Sequence, residues 1–422
     1  MTGRPPPGPM DATDNSTERI SRNTAFLKFW FARIFATSAL QMLAVCVGWQ
    51  IYQLTDSALD LGLVGLAQFI PAVLFVLVAG HIADRCHRGH IVRAAQAVEA
   101  LVAGALAIGT TFGFLSREII FALVFILGSA RAFELPTLHA LLPGLVPAPL
   151  LPRAVAASAS ANQTATIAGP ALGGLLYAVN PTLAYLTAFA LLISASALIS
   201  LIRIERVKLT HEPMAFSILF AGINFIRRNP LILGAISLDM FAVLLAGATA
   251  LLPIFARDVF NVGPWGLGLL RAAPAIGALA MALTLARWPL RKAAGSKMFV
   301  GVAIYGAATI AFGISTSFPL AMFCLAVLGA ADMVSVVVRQ TLVPINTPDE
   351  MRGRVNAVSS LFIGTSNQLG DFRAGVMAAM FGAFASVLIG GIGTLLIVAL
   401  WIRFFPSLLR VDKLDGGGDS KP

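Results

Sequence analysis

Long apolar runs succeed one another along the chain, and polar positions do not alternate within them. Stretches such as "LGLVGLAQFIPAVLFVLVAG" and "GGIGTLLIVALW" are apolar on every side. A bilayer-crossing helix needs roughly 20 such residues. Backbone groups cannot go unpaired in lipid, which leaves helices and closed barrels. The lack of alternation argues against a barrel. The pattern predicts twelve spans, near 29–53, 59–83, 91–114, 119–145, 153–178 and 182–204, then 231–256, 264–287, 297–316, 319–343, 353–379 and 383–405.

One long connection divides them. The predicted organisation is a disordered tail over 1–25, a six-helix bundle over 26–204, a linker over 205–230, a second six-helix bundle over 231–406 and a tail over 407–422. Inside the linker, Phe216, Leu219, Phe220, Ile223 and Ile226 share one helical face. Arg227 and Arg228 suit the last turn and Pro230 stops it. This segment reads as a helix on the membrane surface or as one packed on the spans.

Composition agrees with a membrane class. Of the 422 residues, 58% are hydrophobic and only 12% are charged, and mean hydropathy is +0.84. The net charge of +10 would suggest nucleic acid in a soluble protein. Here its distribution decides otherwise. Of the 30 Lys and Arg, only Arg117 and Arg257 fall on the far side, and Arg33, Arg131, Arg271, Arg339 and Arg373 fall inside spans. All the others lie on the N-terminal side, which predicts both termini in the cytoplasm of a bacterial inner membrane. Cys46, Cys86 and Cys324 are far apart and form neither a disulfide framework nor a metal site. No cofactor is expected.

The halves repeat. Adding 201 carries Gly128 to Gly329, Pro143 to Pro344, Pro147 to Pro348, Arg153 to Arg354, Gly169 to Gly370 and Gly174 to Gly375. A parallel six-plus-six duplication places a substrate site between the halves near the bilayer midplane.

Between the second and third spans stands "GHIADRCHRGHIVR". Gly80, Asp84, Arg85 and Arg88 resemble the loop signature of the major facilitator superfamily; His87, Gly89 and His90 depart from it. The resemblance implies a cytoplasmic gate in which Asp84 meets the start of the eleventh span, near Arg352 and Arg354. There "NTPDEMRGRV" offers Thr347 as N-cap, Pro348 at the first helical position and Glu350 as capping acid. In the fifth span "ATIAGPALGG" is similar to an element of the superfamily's drug:proton antiporters, with Gly169, Pro170, Gly173 and Gly174 matching and Ala165 replacing a glycine. That implies export. The nearest branch includes the enterobactin exporter and macrolide efflux proteins, and the likeness covers nearly the whole chain. It implies an all-α membrane fold of two pseudo-symmetric six-helix bundles.

Charges inside spans are costly and mark pathways. Glu99, Glu134, Asp239, Asp332 and Asp371 are the acids. Arg131 and Glu134 share a helical face, as do Asp332, Ser335 and Arg339. Glu134, Asp239 and Asp332 are the candidate proton carriers. Arg131, Arg271, Arg339 and Asp371 are the candidate cavity residues, Glu99 is a structural partner, and Arg33 and Arg373 snorkel or pair locally. The expectation is proton-coupled export of a small organic molecule by a monomer in contact with lipid, with no nucleic acid. The arginines favour an anionic or polar cargo over a lipophilic cation. A membrane-embedded enzyme or a non-transporting sensor is the rival class. No nucleotide-binding motif is present, and of the five histidines only His139 falls in a span.

Overall fold

The computed structural model describes residues 23–202, 216–290 and 293–411. Six helices form the first half: α1 (Thr24–Thr55), α2 (Ala58–Arg85), α3 (Arg88–Phe112), α4 (Arg117–Leu141), α5 (Leu151–Val179) and α6 (Pro181–Ser200). After α7 (Phe216–Arg228) come α8 (Pro230–Ala246), a one-turn α9 (Leu252–Ile254), α10 (Gly263–Arg287), α11 (Ala294–Ile314), α12 (Phe318–Ile345), α13 (Asp349–Phe381), α14 (Ala383–Phe404) and a short α15 (Pro406–Leu409). Polar caps start several of them. Asn23, Ser57, Ser116, Asn180 and Asn229 each accept a hydrogen bond from a backbone N–H in the first turn, which satisfies donors that the helix leaves free.

The duplication read from the sequence is present in the packing. In the first half α1 packs on α5 and α6, α3 on α4 and α6, and α2 on α4. In the second, α8 packs on α13 and α14, α11 on α12 and α14, and α10 on α12. Each pairing has its counterpart. The halves meet along α5 against α10 and α2 against α13.

Ten described helical segments are long and apolar enough to cross a membrane. The two other long helices, α5 and α13, are more polar, with "ASASANQTAT" in one and Asp349, Glu350, Arg352, Arg354, Asp371 and Arg373 in the other. Both form the contacts between halves, so much of their surface faces protein and cavity instead of lipid. Twelve crossings follow, and the described chain begins and ends on one face, here the terminal face; the opposite one is the far face.

Two expectations are corrected locally. Thr347 does not cap α13: its hydroxyl donates to the Val343 carbonyl, and Pro348 occupies the cap with Asp349 as the first helical residue. Pro348 lacks an N–H and its extended backbone fits the cap position. Arg373 neither snorkels nor meets an acid. Its guanidinium donates to the carbonyls of Leu244 (3.0 Å), Leu245 and Ala246 (3.4 Å), closing the C-terminal end of α8, where cations are favoured. Of the two readings of α7, the packed one describes its inner face. Ile226 is buried with Ile232, Ile236, Val343, Val355 and Val358, while Phe220 points outward.

Candidate functional site

At the far face the halves are fastened by side chains. α1 ends at Thr55 and presents Tyr52 and Asp56. Opposite, Phe255–Val259 forms a π-helical turn that carries Arg257 and Asp258; such turns re-aim side chains. Arg257 donates to Asp56 (2.5 Å) and to the Tyr52 carbonyl (3.3 Å), and its guanidinium lies 4.9 Å from the Tyr52 ring centre. The Tyr52 hydroxyl donates to Asp258. Below this latch, bare backbone meets bare backbone twice. A Cβ added to Gly375 would stand 2.6 Å from Gly62 Cα, and one added to Gly174 would stand 2.9 Å from Gly268 Cα. Pro170, Gly173 and Gly174 belong to the predicted packing motif, and Gly169 and Gly173 press on Ser38 and Met42 of α1 in the same way.

Nearer mid-depth, Gln163 of α5 donates to the Ala275 carbonyl of α10 at 2.8 Å. Among the described residues no hydrogen bond or ion pair joins the halves closer to the terminal face. Of the residues expected to gate that face, the described ones, Arg88, Arg352 and Arg354, are not brought together. Arg88 donates to the Ala140 carbonyl (2.7 Å), tying α3 to α4. Arg352 pairs with Asp349 (2.5 Å) and donates to the Pro344 carbonyl (3.1 Å). Arg354 reaches only Met351 sulfur (3.6 Å). The Gly80, Asp84 and Arg85 side positions lie outside the described residues, although their backbone belongs to α2.

Between the halves lies a cavity of about 460 Å³ walled by Gln41, Arg271, Tyr305, Asp332, Asn367 and Asp371, among others. A limb of about 220 Å³ extends from it toward the latch and includes Gln41, Arg131, Arg271 and Asp371. A second limb, of about 150 Å³, runs into the first half and includes Arg33, Gln41, Arg131, Glu134 and His139. Gln41 borders all three, so they adjoin. The positions related by the repeat, Arg131 and Asp332, thus face cavity space from opposite halves.

The charges fall into distinct settings. Asp239 and Arg339 form a buried ion pair between α8 and α12, with the Ser335 hydroxyl 3.5 Å from Asp239. Arg339 was expected to face cargo; the structure commits it to Asp239. Asp332 lies next to this pair across a void of about 10 Å³ shared with Tyr305 and Ser335. Asp371 accepts from the Thr249 hydroxyl at 3.2 Å, and Arg271 borders the same cavity without an ion pair among the described residues. Glu134 is 2% exposed and accepts from Gln96 Nε2 at 2.9 Å, with the fully buried Glu99 beside it. No metal-binding cluster occurs among the described residues.

Sequence reasoning missed Tyr52, Asp56 and Asp258, and placed Arg257 only as a loop charge. The repeat itself held the signal, because adding 201 to Asp56 reaches Arg257. Tyr305, Gln41 and Thr249 gave no signal, being single polar residues in apolar runs.

Known proteins are similar to this chain in sequence and in fold. The profile of the family described as transmembrane secretion effector matches residues 19–416. The chain is 27% identical over 401 residues to the enterobactin exporter EntS of Salmonella choleraesuis (strain SC-B67), covering 93% of this chain and 94% of that one. The corresponding protein of Escherichia coli O1:K1 / APEC is 26% identical over the same length. Among solved structures, a bacterial homologue of the human lysosomal transporter Spinster, inward-facing and unoccupied, superposes with TM-score 0.72 at 14% identity, covering 92% of this chain and 97% of that one. A bacterial homologue of the iron transporter ferroportin, inward-facing, gives 0.69 at 17%, covering 92% and 99%. At such identities these structures speak for the fold alone. The family profile spans nearly the whole chain, and the chain belongs to the transmembrane secretion effector family of major facilitator transporters, which makes it a multi-pass membrane transporter of small molecules and not an enzyme.

Proposed function

We propose that this protein exports a small polar or anionic organic molecule, siderophore-like in character, across a bacterial inner membrane by alternating access coupled to proton influx. One observation carries the reading: a charged cavity at mid-depth is latched at the far face, and among the described residues no hydrogen bond or ion pair joins the halves nearer the terminal face. With both termini in the cytoplasm, as the basic residues indicate, this is an inward-open arrangement that loads from the cell interior. In the opposite state the latch parts and the terminal face closes through Asp84, Arg85 and Arg88 against the start of α13. The enterobactin exporters among the relatives favour export over uptake.

Coupling needs an acid that meets the cavity and is not held by a fixed counter-charge. Asp239 is tied to Arg339; of the acids that remain, Asp332 in the second half and Glu134 in the first are the proposed carriers, and Asp371, which also borders the cavity without an ion pair among the described residues, is the alternative. The unit is a monomer whose outer surface contacts lipid.

Reconstitution in proteoliposomes tests this, with enterobactin as the first cargo. An inward-directed proton gradient should drive uphill export, and Asp332→Asn or Glu134→Gln should abolish uphill movement while sparing cargo exchange. Uphill transport retained in both variants would place the proton route elsewhere, and cargo-independent signalling without flux would favour a sensor.

A further inference from the structure

The limb that enters the first half is built as a site of its own. It lies between α1, α4 and α5, and its volume of about 150 Å³ is enough for one six-membered ring. Arg33 from α1 and Arg131 from α4 both line it. Neither guanidinium makes a hydrogen bond or ion pair with another described residue, and Arg33 Nε is shut away from solvent with no partner. A charged donor kept unpaired at this depth is costly. Glu134 lines the same limb and attracts both guanidinium groups, but it is one acid against two arginines, and one of its oxygens already accepts from Gln96. His139 and Asn162 add polar atoms, while Leu135 and Leu138 supply an apolar wall.

Two guanidinium forks over an apolar floor suit a planar anion carried on a ring, since the fork matches a carboxylate with paired donors. We infer that this limb is a side chamber for docking, in which Arg33 and Arg131 hold a carboxylate-bearing ring. It adjoins the cavity between the halves at Gln41, and Arg131, which also borders the far-face limb, passes the anion onward. Only the onward step rests on the transport reading; the binding site does not.

The test is equilibrium dialysis of radiolabelled benzoate against the purified full-length protein in detergent micelles. Unlabelled benzoate should displace the label at least tenfold more effectively than benzamide, which has the same shape without the charge. Arg33→Gln and Arg131→Gln should each weaken binding at least tenfold, and Arg33→Lys should weaken it less than Arg33→Gln. Equal displacement by benzamide overturns the inference, as does a loss on Arg271→Gln with none on Arg33→Gln, which would move the site to the central cavity. If the glutamine variants are not monodisperse on size exclusion, the benzoate-to-benzamide ratio and Arg33→Lys decide. Benzoate binding without any flux in liposomes would count against the transport reading alone. Flux of cargo without benzoate binding would count against the chamber alone.

Discussion

Arg257 holds Asp56, Tyr52 and Asp258 at once, and so one substitution tests the whole far-face latch. These groups are partly exposed, with Arg257 at 35% and Asp56 at 68%, and exposed pairs contribute about 1 kcal/mol or less each. Arg257→Ala should therefore raise the outward-open population several-fold without abolishing folding. Distances between spin labels on the far ends of α1 and α10 would report it, and an unchanged distribution would make the contact incidental. Exchanging the charges, Asp56→Arg with Arg257→Asp, should restore part of the closure. The Asp239–Arg339 pair behaves differently because it is buried. Removing one partner strands a charge and costs about 3–5 kcal/mol. Asp239→Ala or Arg339→Ala should lower the melting temperature clearly more than the paired Asp239→Asn, Arg339→Gln change. Melting temperatures that match for the single and paired changes would refute the dependence. Which acid met which arginine was not legible in the sequence. Asp332 and Arg339 share a helical face by spacing, yet Arg339 turns to α8, a choice made by tertiary packing.

The helices meet where side chains are missing. A Cβ on Gly174 or Gly268 would press into the backbone of the facing helix, and backbone cannot yield as a flexible side chain does. Gly174→Val should hold α5 away from α10 at the far face and shift the molecule toward the outward-open state. Cysteine accessibility from the far side should rise, and flux should fall by an order of magnitude or more. Normal flux with unaltered accessibility would mean that the crossing adjusts at little cost. Part of this was legible, since the small residues of α5 announced a close crossing. Its partner was not: the motif gives no sign that the far ends of α5 and α10 face each other. At the terminal face, Asp84→Asn should leave the protein in the membrane and impair transport, because the closure proposed for the outward-facing state would lose a contact between its halves. Full activity at normal expression would reduce the stretch around Asp84 to a topology signal.

At the scale of the molecule, hydropathy and a fixed repeat carried the fold, because lipid imposes one rule on every span and duplication imposes the same pairings twice. The cavity was legible only as a set of charged depths. Its limbs and the meeting of Arg33 with Arg131 around one of them depend on packing between helices distant in sequence. Two helices escaped the simple rule. α5 and α13 are too polar to match their neighbours in hydropathy, and they are the helices through which the halves touch. Their polarity has a consequence for biosynthesis. A segment with Asp371 and Arg373 within it gains little from lipid by itself, so α13 has to be drawn into the bilayer by helices already there or by the one that follows. Its direct neighbours include α2 and α8, made earlier, and α14, made next. A chain truncated just after α13 should leave that segment partly uninserted, and extension through α14 should secure it. Glycosylation tags placed after residue 381 in a microsomal translation system would read the difference, with equal insertion of both lengths as the contrary result. Transport chemistry is thereby set against ease of assembly: the charges that equip the interface of the halves make its helices the most dependent on their neighbours for reaching the membrane.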